Sequence, residues 1–303
     1  MSRIIALPHR ILATGITVVA FGDPGQLPPI HGDPFFTNAN FTLTQIHRQA
    51  FENPIIRQAH RVRSGGTYER DGDSVRVISR LSADELRATD VVLTGRRETR
   101  MRMNAEKRRV LGLESHLPRQ GEPLICLRNT RKHALCNGAI YYASRDLEAG
   151  DKTVGISTDV GDVEVHAVFL GPGHEYDNIE LPPGGWMTAF SYGYALTVHQ
   201  AQGSEFDRVL LLDEWFRDDR SRWLYTGITR ARERLVIAAR SDRDSGHDFP
   251  KERWRADQTD LARRGWIAKE RRLGVRNDGR LRLPLCFCAH ARARGEDRAL
   301  RVG

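Results

Sequence analysis

The chain predicts an α/β fold in which a sheet of buried strands is interrupted by a smaller β-rich insert, and three observations carry that prediction. Ile16–Phe21 is a short, β-branched apolar run of the kind that suits a parallel strand covered on both faces. Asp90–Gly95, Val209–Leu212 and Leu235–Ala239 are further apolar strands. Between them lie helix-like stretches. One runs through Ile56–Val62. Another spans Arg96–Leu113, with Met103, Val110 and Leu111 as its buried positions and its many Arg and Lys turned outward. From about Arg119 to Leu181 the character changes. Glu122–Arg128, Ala139–Ala143, Thr153–Ile156 and Val163–Phe169 read as short strands separated by Asn, Gly and Asp turns, with Asn137-Gly138 as a hairpin signal.

Length and composition bound the rest. The 303 residues suffice for one large or two ordinary domains. With 40% hydrophobic and 28% charged residues the composition is that of a soluble globular protein. No apolar run approaches the roughly 20 residues that span a bilayer, so no membrane partner is expected. The N-terminal Met1–Arg10 lacks a signal-peptide h-region. Four cysteines make no disulfide framework, and a reducing cytoplasm is the default setting. The net charge is +8, but Arg243–Gly303 holds 16 Lys/Arg against 9 Asp/Glu, so the basic character belongs to the tail. Charge of this kind suits a polyanion without identifying one.

Four polar segments stand out. Gly22-Asp-Pro-Gly-Gln-Leu-Pro-Pro29 follows the first strand, and taken alone is a Pro/Gly turn. Phe41–Ala50 contains Arg48 at the start of a helix, where a lone arginine is ordinarily solvated. Tyr194–Asp207 carries Thr197, His199, Gln200, Gln202, Ser204 and Glu205 between two apolar runs. There Gly203 permits a tight turn close to a ligand. Trp223–Ala238 ends a short helix in Thr229-Arg230 and runs on into a strand. An arginine at such a junction can extend its fork of donors to a phosphate.

Taken in order and with their gaps, these segments resemble motifs III, IV, V and VI of the superfamily 1 helicases, in the RecD-like branch. The resemblance covers residues 1 to about 240. It implies a RecA-like parallel-sheet domain, the second of a P-loop NTPase helicase motor, with an inserted small β-barrel and a remnant of the first RecA-like domain. The corresponding bounds are 1–33 for the remnant, 34–118 and 186–242 for the second RecA-like domain, 119–185 for the barrel and 243–303 for the tail. It also implies ATP-driven, 5′-to-3′ translocation on single-stranded DNA. Gln26 would sense the γ-phosphate, and Arg48 and Arg230 would act as arginine fingers. Gly203, Glu205 (on the ribose side) and Asp23 would lie at the nucleotide, with Thr197 and His199 at the DNA. His47 replaces an aromatic that many relatives carry. In the barrel, Arg128, Asn129, Arg131 and Lys132 either touch DNA phosphates or form an ordinary solvated loop. Asn104–Gly112 resembles the segment after motif IV, and as bare chemistry is an amphipathic basic helix.

Val209–Glu214 has the apolar-run-plus-Asp-Glu form of a Mg²⁺-holding strand. That form needs a phosphate loop upstream, and no Gly-x-x-x-x-Gly-Lys-Ser/Thr occurs in the sequence. Asp213 and Glu214 are therefore expected to end a core strand and to bind no metal. Against the resemblance, Met1 falls just after the position of the metal-holding acids. The expectation is a C-terminal motor half that does not hydrolyse ATP alone. ATP and Mg²⁺ would bind only with the missing N-terminal half, joined or supplied as a separate polypeptide. The alternative is a non-catalytic nucleic-acid-binding remnant. In the tail, Arg263-Arg264 between Trp254 and Trp266 suits either a nucleic-acid backbone or packing of the tryptophans on the body. Cys286, Cys288 and His290 are a weak metal candidate.

Overall fold

The structure is a computed structural model that describes residues 22–28, 40–42, 52–130, 132–171, 186–214 and 219–239. The strand expected at Ile16–Phe21, Arg48, Arg131 and the whole tail from residue 240 lie outside the described residues. The described elements run α1 (Pro54–Arg63), β1 (Val75–Ile78), α2 (Ala83–Arg87), β2 (Val91–Thr94), α3 (Arg97–Val110), β3 (Pro123–Cys126) and β4 (Ile140–Ala143). They continue β5 (Thr153–Thr158), β6 (Gly161–Leu170), β7 (Thr188–Tyr192), β8 (Ala195–Thr197), β9 (Phe206–Leu212), α4 (Arg220–Ile228) and β10 (Ala231–Ala238). They form two compact units, one of residues 1–114 and 193–242, the other containing 115–192.

The first unit is built on a five-stranded sheet in the order β1-β10-β9-β2-β8, with every neighbouring pair parallel. Its strands are the apolar runs of the sequence. Val91–Thr94, Val209–Leu212 and Leu235–Ala238 are buried along their length, as strands covered on both faces must be. Helix α1 starts where Asn53 accepts the Ile55 amide at 2.8 Å and Pro54 supplies a ready-made first-turn φ. Its buried stripe is Ile55, Gln58, Ala59 and Val62, one helical face. Helix α4 packs so closely on the sheet that a Cβ at Gly227 would sit 2.9 Å from Leu211 Cδ1. A larger residue there would push α4 off β9.

Helix α3 departs from the sequence expectation. Met103 and Val110 are buried as anticipated, but Leu111 lies beyond the helix end and is 41% exposed. Three basic residues expected outside, Arg100, Lys107 and Arg108, are buried with Thr99 and Asn104. The spacing 100, 103, 104, 107, 108 is one helical face, and polar side chains occupy most of it. Asn104 and Lys107 are tolerable there because they find backbone partners. Asn104 accepts the Ala195 amide at 2.8 Å and donates to the Ala195 carbonyl at 3.2 Å, completing the backbone of edge strand β8. The Lys107 ammonium donates to the carbonyls of Leu86, Arg87 (3.3 Å) and Thr89 (2.5 Å), closing the C-terminal end of α2.

The second unit is a closed barrel, β3-β4-β5-β6-β7, in which β6 and β7 run parallel and the other pairs antiparallel. Its core is Leu124, Ile125, Val154, Ile156, Val165 and Phe190, with Phe169 edge-on to Tyr192 at 4.9 Å. Four strands fall where the sequence places them. The fifth, Thr188–Tyr192, closes the barrel from beyond the expected 119–185 bounds. The Asn137-Gly138 signal marks a turn with Gly138 at φ +87°. It sits at the end of a longer loop from Leu127, so β3 and β4 are not joined by a two-residue hairpin. These two units are a RecA-like parallel-sheet domain and an inserted barrel.

Candidate functional site

Within the first unit, Arg230 and the Ser204-Glu205 pair meet where β10 and β9 begin, and the chain reaches that point through a turn that leaves the C-terminal end of β8. Past the end of β8 the chain turns through Val198–Gly203. The Val198 amide is held by the Thr94 carbonyl (3.0 Å) and the Ala201 amide by the Thr197 carbonyl (3.0 Å). Gly203 adopts φ +84°, a left-handed conformation that a β-carbon disfavours. Thr197 is 9% exposed and is locked to Gln200, whose Oε1 takes its amide at 3.2 Å. His199 is half-buried, and desolvation pushes its pKa below the ordinary imidazole value. Glu205 is exposed at the end of the turn.

Arg230, 7% exposed, follows the C-terminus of α4. Its Nε donates to the Thr226 carbonyl (3.0 Å), one terminal nitrogen to the Ser204 carbonyl (3.1 Å) and the other to Thr229 Oγ1 (3.0 Å). Burial lowers its pKa from the usual guanidinium value, and the charges of Glu205, Tyr225 and Asp23 oppose that shift. Arg230 is thus pinned between α4 and the turn that carries Gly203 and Glu205. Three of its five N–H groups are used.

The Gly22–Pro28 loop docks against the same helix. Leu27 donates its amide to Thr226 Oγ1 at 2.9 Å and its carbonyl accepts Gln202 Nε2 at 2.9 Å. Asp23 accepts the Tyr225 hydroxyl at 2.6 Å and the Gly25 amide at 2.9 Å. Arg63 approaches Asp23 at 3.5 Å and lies over the Tyr225 ring, 5.5 Å from its centroid. Gln26 sits half-buried in the turn that these contacts hold, its amide bonded to the Asp23 carbonyl at 3.1 Å. The structure therefore gives Asp23 a loop-anchoring set of partners. Sequence reading passed over Arg63, Tyr225 and Thr226, and gave Gln202 no partner. The signal available for Tyr225 and Thr226 was their position immediately before Gly227-Ile228-Thr229-Arg230.

Asp213 and Glu214 follow β9 as expected; Glu214 is spent on structure, whereas the buried Oδ1 of Asp213 has no hydrogen-bond partner among the described residues. Glu214 accepts the backbone amides of Gly95 and Arg96 (2.8 Å) and the Thr99 hydroxyl, neutralising the N-terminal end of α3. Asp213 is paired with Arg220 and accepts the Tyr68 hydroxyl at 2.7 Å. Burial and that carboxylate push the Tyr68 pKa up. Among the described residues no three His, Cys, Asp or Glu side chains converge as a metal set. In the barrel unit, Arg128 and Lys132 lie on the β3–β4 loop, Arg128 partly covered and Lys132 exposed. The Arg128 carbonyl takes the Thr188 hydroxyl at 2.6 Å.

Sequence comparison adds to this geometry. A model of the UvrD-like helicase C-terminal domain matches residues 192–238, the stretch that holds β8, β9, α4, β10 and Arg230. The ATP-dependent RecD2 DNA helicase of Deinococcus radiodurans is 30% identical over 256 residues, covering 74% of this chain and 33% of that protein. The chain thus spans about a third of the length of this curated relative. Among solved structures, Pif1 helicase from Bacteroides in complex with ADP-AlF3 and single-stranded DNA superposes with a TM-score of 0.47 at 18% identity, over 83% of this chain and 68% of that one. Pif1 from Candida albicans gives 0.46 at 16%, over 79% and 67%. Among the described residues no helix is long and apolar enough to cross a membrane. In its ordered motifs, in the match of residues 192–238 to the UvrD-like helicase C-terminal domain and in its 30% identity to RecD2, the chain is similar to the RecD-like superfamily 1 helicases.

Proposed function

We propose that this chain works as the second RecA-like half of an ATP-dependent motor that translocates 5′-to-3′ on single-stranded DNA, in a cytoplasmic setting. The observation that supports this best is the fixing of Arg230 beside Ser204 and Gly203, with two guanidinium N–H groups unspent among the described residues and the Gln26 loop seated on the same helix. A preorganised arginine of this kind stabilises charge on a transferred γ-phosphoryl group without reorganising at the moment of reaction. Arg48 is its partner in the proposal. Gly203 and Glu205 lie on the nucleotide side, and Gln26 reports phosphate state, with Asp23 acting by holding its loop. Thr197, His199, Arg128 and Lys132 contact DNA. The 303 residues contain no phosphate loop, so the groups that bind the triphosphate and Mg²⁺ come from polypeptide outside them.

The test is single-stranded-DNA-stimulated ATP hydrolysis, measured for the chain alone and with a RecD-like half that carries a phosphate loop. The expected result is negligible turnover alone and Arg230-dependent turnover with the added half. Arg230-dependent hydrolysis by the chain alone would refute the need for an outside phosphate loop. Salt-dependent DNA binding with no turnover in either mixture would leave a nucleic-acid-binding protein without a motor cycle.

A further inference from the structure

We infer that Thr226 and Tyr225 of α4 are positioning residues that make the Gln26 loop and Arg230 one mechanical unit. Thr226 serves both sides at once. Its hydroxyl accepts the Leu27 amide at 2.9 Å and donates to the Arg222 carbonyl at 2.7 Å, while its carbonyl accepts Arg230 Nε at 3.0 Å. The Arg230 backbone amide turns back to Gly227 instead, at 3.2 Å, so the last turn of α4 is closed on Thr226 by side chains. Thr226 is buried, and Gly227 packs so closely on Leu211 of β9 that the helix end cannot yield by a small rotation. Tyr225, one residue earlier, holds the other end of the loop through Asp23, and Arg63 covers its ring. Gln202 completes the grip from the turn that also supplies Ser204 to Arg230.

The loop and the arginine therefore share two supports, α4 and the 198–204 turn. A displacement of Arg230 toward a ligand pulls on the Thr226 carbonyl and, through the same residue, on the hydroxyl that holds Leu27. Conversely, a loop pulled away from α4 takes the Thr226 hydroxyl with it. This coupling draws its purpose from the motor reading but is measurable without nucleotide or DNA.

Residue-resolved amide hydrogen exchange on the 303-residue chain tests it. Thr226→Val keeps the shape and removes the acceptor, so the Leu27 amide should exchange roughly tenfold faster or more. Thr226→Ser, which keeps the hydroxyl, should restore protection. Tyr225→Phe should speed the Gly25 amide, which bonds to the carboxylate that the tyrosine orients. Arg230→Ala should also speed Leu27, although no Arg230 hydrogen bond reaches the loop. The Val92 amide, bonded to the Tyr194 carbonyl in the sheet, should stay unchanged in all four variants. Unchanged Leu27 exchange in Thr226→Val or in Arg230→Ala overturns the coupling, as does a general quickening that includes Val92. A chain with no ATPase under any condition would sink the motor reading and leave this result standing.

Discussion

Arg230 and Lys107 are both buried cations in the first unit, and they differ in what remains of them once their partners are counted. Lys107 has three N–H donors and three backbone carbonyls, those of Leu86, Arg87 and Thr89. Nothing is left to offer a ligand. Arg230 has five donors and uses three, each on a group that fixes its direction. The first is a clamp for the α2–α3 junction, the second a clamped group with capacity in reserve. Burial of positive charge alone would have nominated both as functional. The donor count separates them.

The largest expected effect tests the Arg230 side of this contrast. With a phosphate-loop half supplied, Arg230→Ala should reduce DNA-stimulated ATP turnover by about 10³-fold, the usual order for an arginine that stabilises transferring phosphoryl charge. The melting temperature of the chain should fall by only a few degrees. A variant that melts far lower while keeping its turnover would place Arg230 in the same class as Lys107. Lys107→Met should behave in the opposite way. It leaves three carbonyls at the buried end of α2 without donors, and should cost about 2–3 kcal/mol of stability in urea unfolding. Any loss of turnover should follow only from unfolding.

Next in size is Glu214→Ala. Its carboxylate closes the N-terminal end of α3 through two amides and the Thr99 hydroxyl, so the loss should be about 1–2 kcal/mol. Glu214→Gln should recover part of it, because an amide oxygen still accepts. If instead Glu214→Ala abolished nucleotide-dependent turnover at full stability, the end of β9 would be part of the nucleotide site. Gly203→Ala should cost about 1 kcal/mol from the left-handed φ alone, since space around that position is open.

The contrast also shows what the sequence could and could not tell. Three of the five sheet strands were legible because Val91–Thr94, Val209–Leu212 and Leu235–Ala238 are buried on both faces and have no polar alternation to hide them, whereas the edge strand Val75–Ile78, with Arg76 in its middle, was missed. Four of the five barrel strands were legible from turns and short β-rich runs. The fifth, Thr188–Tyr192, looks like any buried strand and declares its sheet only through pairing with β3 and β6. Gln26 and Arg230 were singled out through motif order, whereas the support they share was not legible. Leu27 meets Thr226 across 199 residues, and Asp23 meets Tyr225 across 202. The inward face of α3 failed for the same reason. Arg100, Lys107 and Arg108 read as solvated until the carbonyls and amides from elsewhere in the chain are placed against that face.

The smallest expected effect is a pH dependence that isolates Lys107. Burial pushes its pKa down to about 8, with Asp90 opposing the shift and Arg208 adding to it. An unfolded lysine titrates near 10.4, so between about pH 8 and pH 10 the unfolded chain binds more protons than the folded one at this site. The Lys107 contribution to stability should therefore rise with pH across that window, by less than one proton's worth of slope, against an opposing fall from Cys126, whose thiol burial pushes up. Below about pH 8 the cost of burying the ammonium is present in full and constant. Above pH 10 stability should fall further, because Tyr68 and Tyr225 have raised pKa values and resist ionisation only in the folded state. Urea midpoints measured every half unit from pH 7 to 10.5 should fall more steeply in Lys107→Met than in the parent chain between pH 8 and 10, and the growing difference between the two chains is the Lys107 contribution. A rise with pH in Lys107→Met would assign the titration to another group. Parallel curves for the two chains between pH 8 and 10 would mean that the three carbonyls hold the ammonium more strongly than burial penalises it, so that Lys107 stays charged throughout.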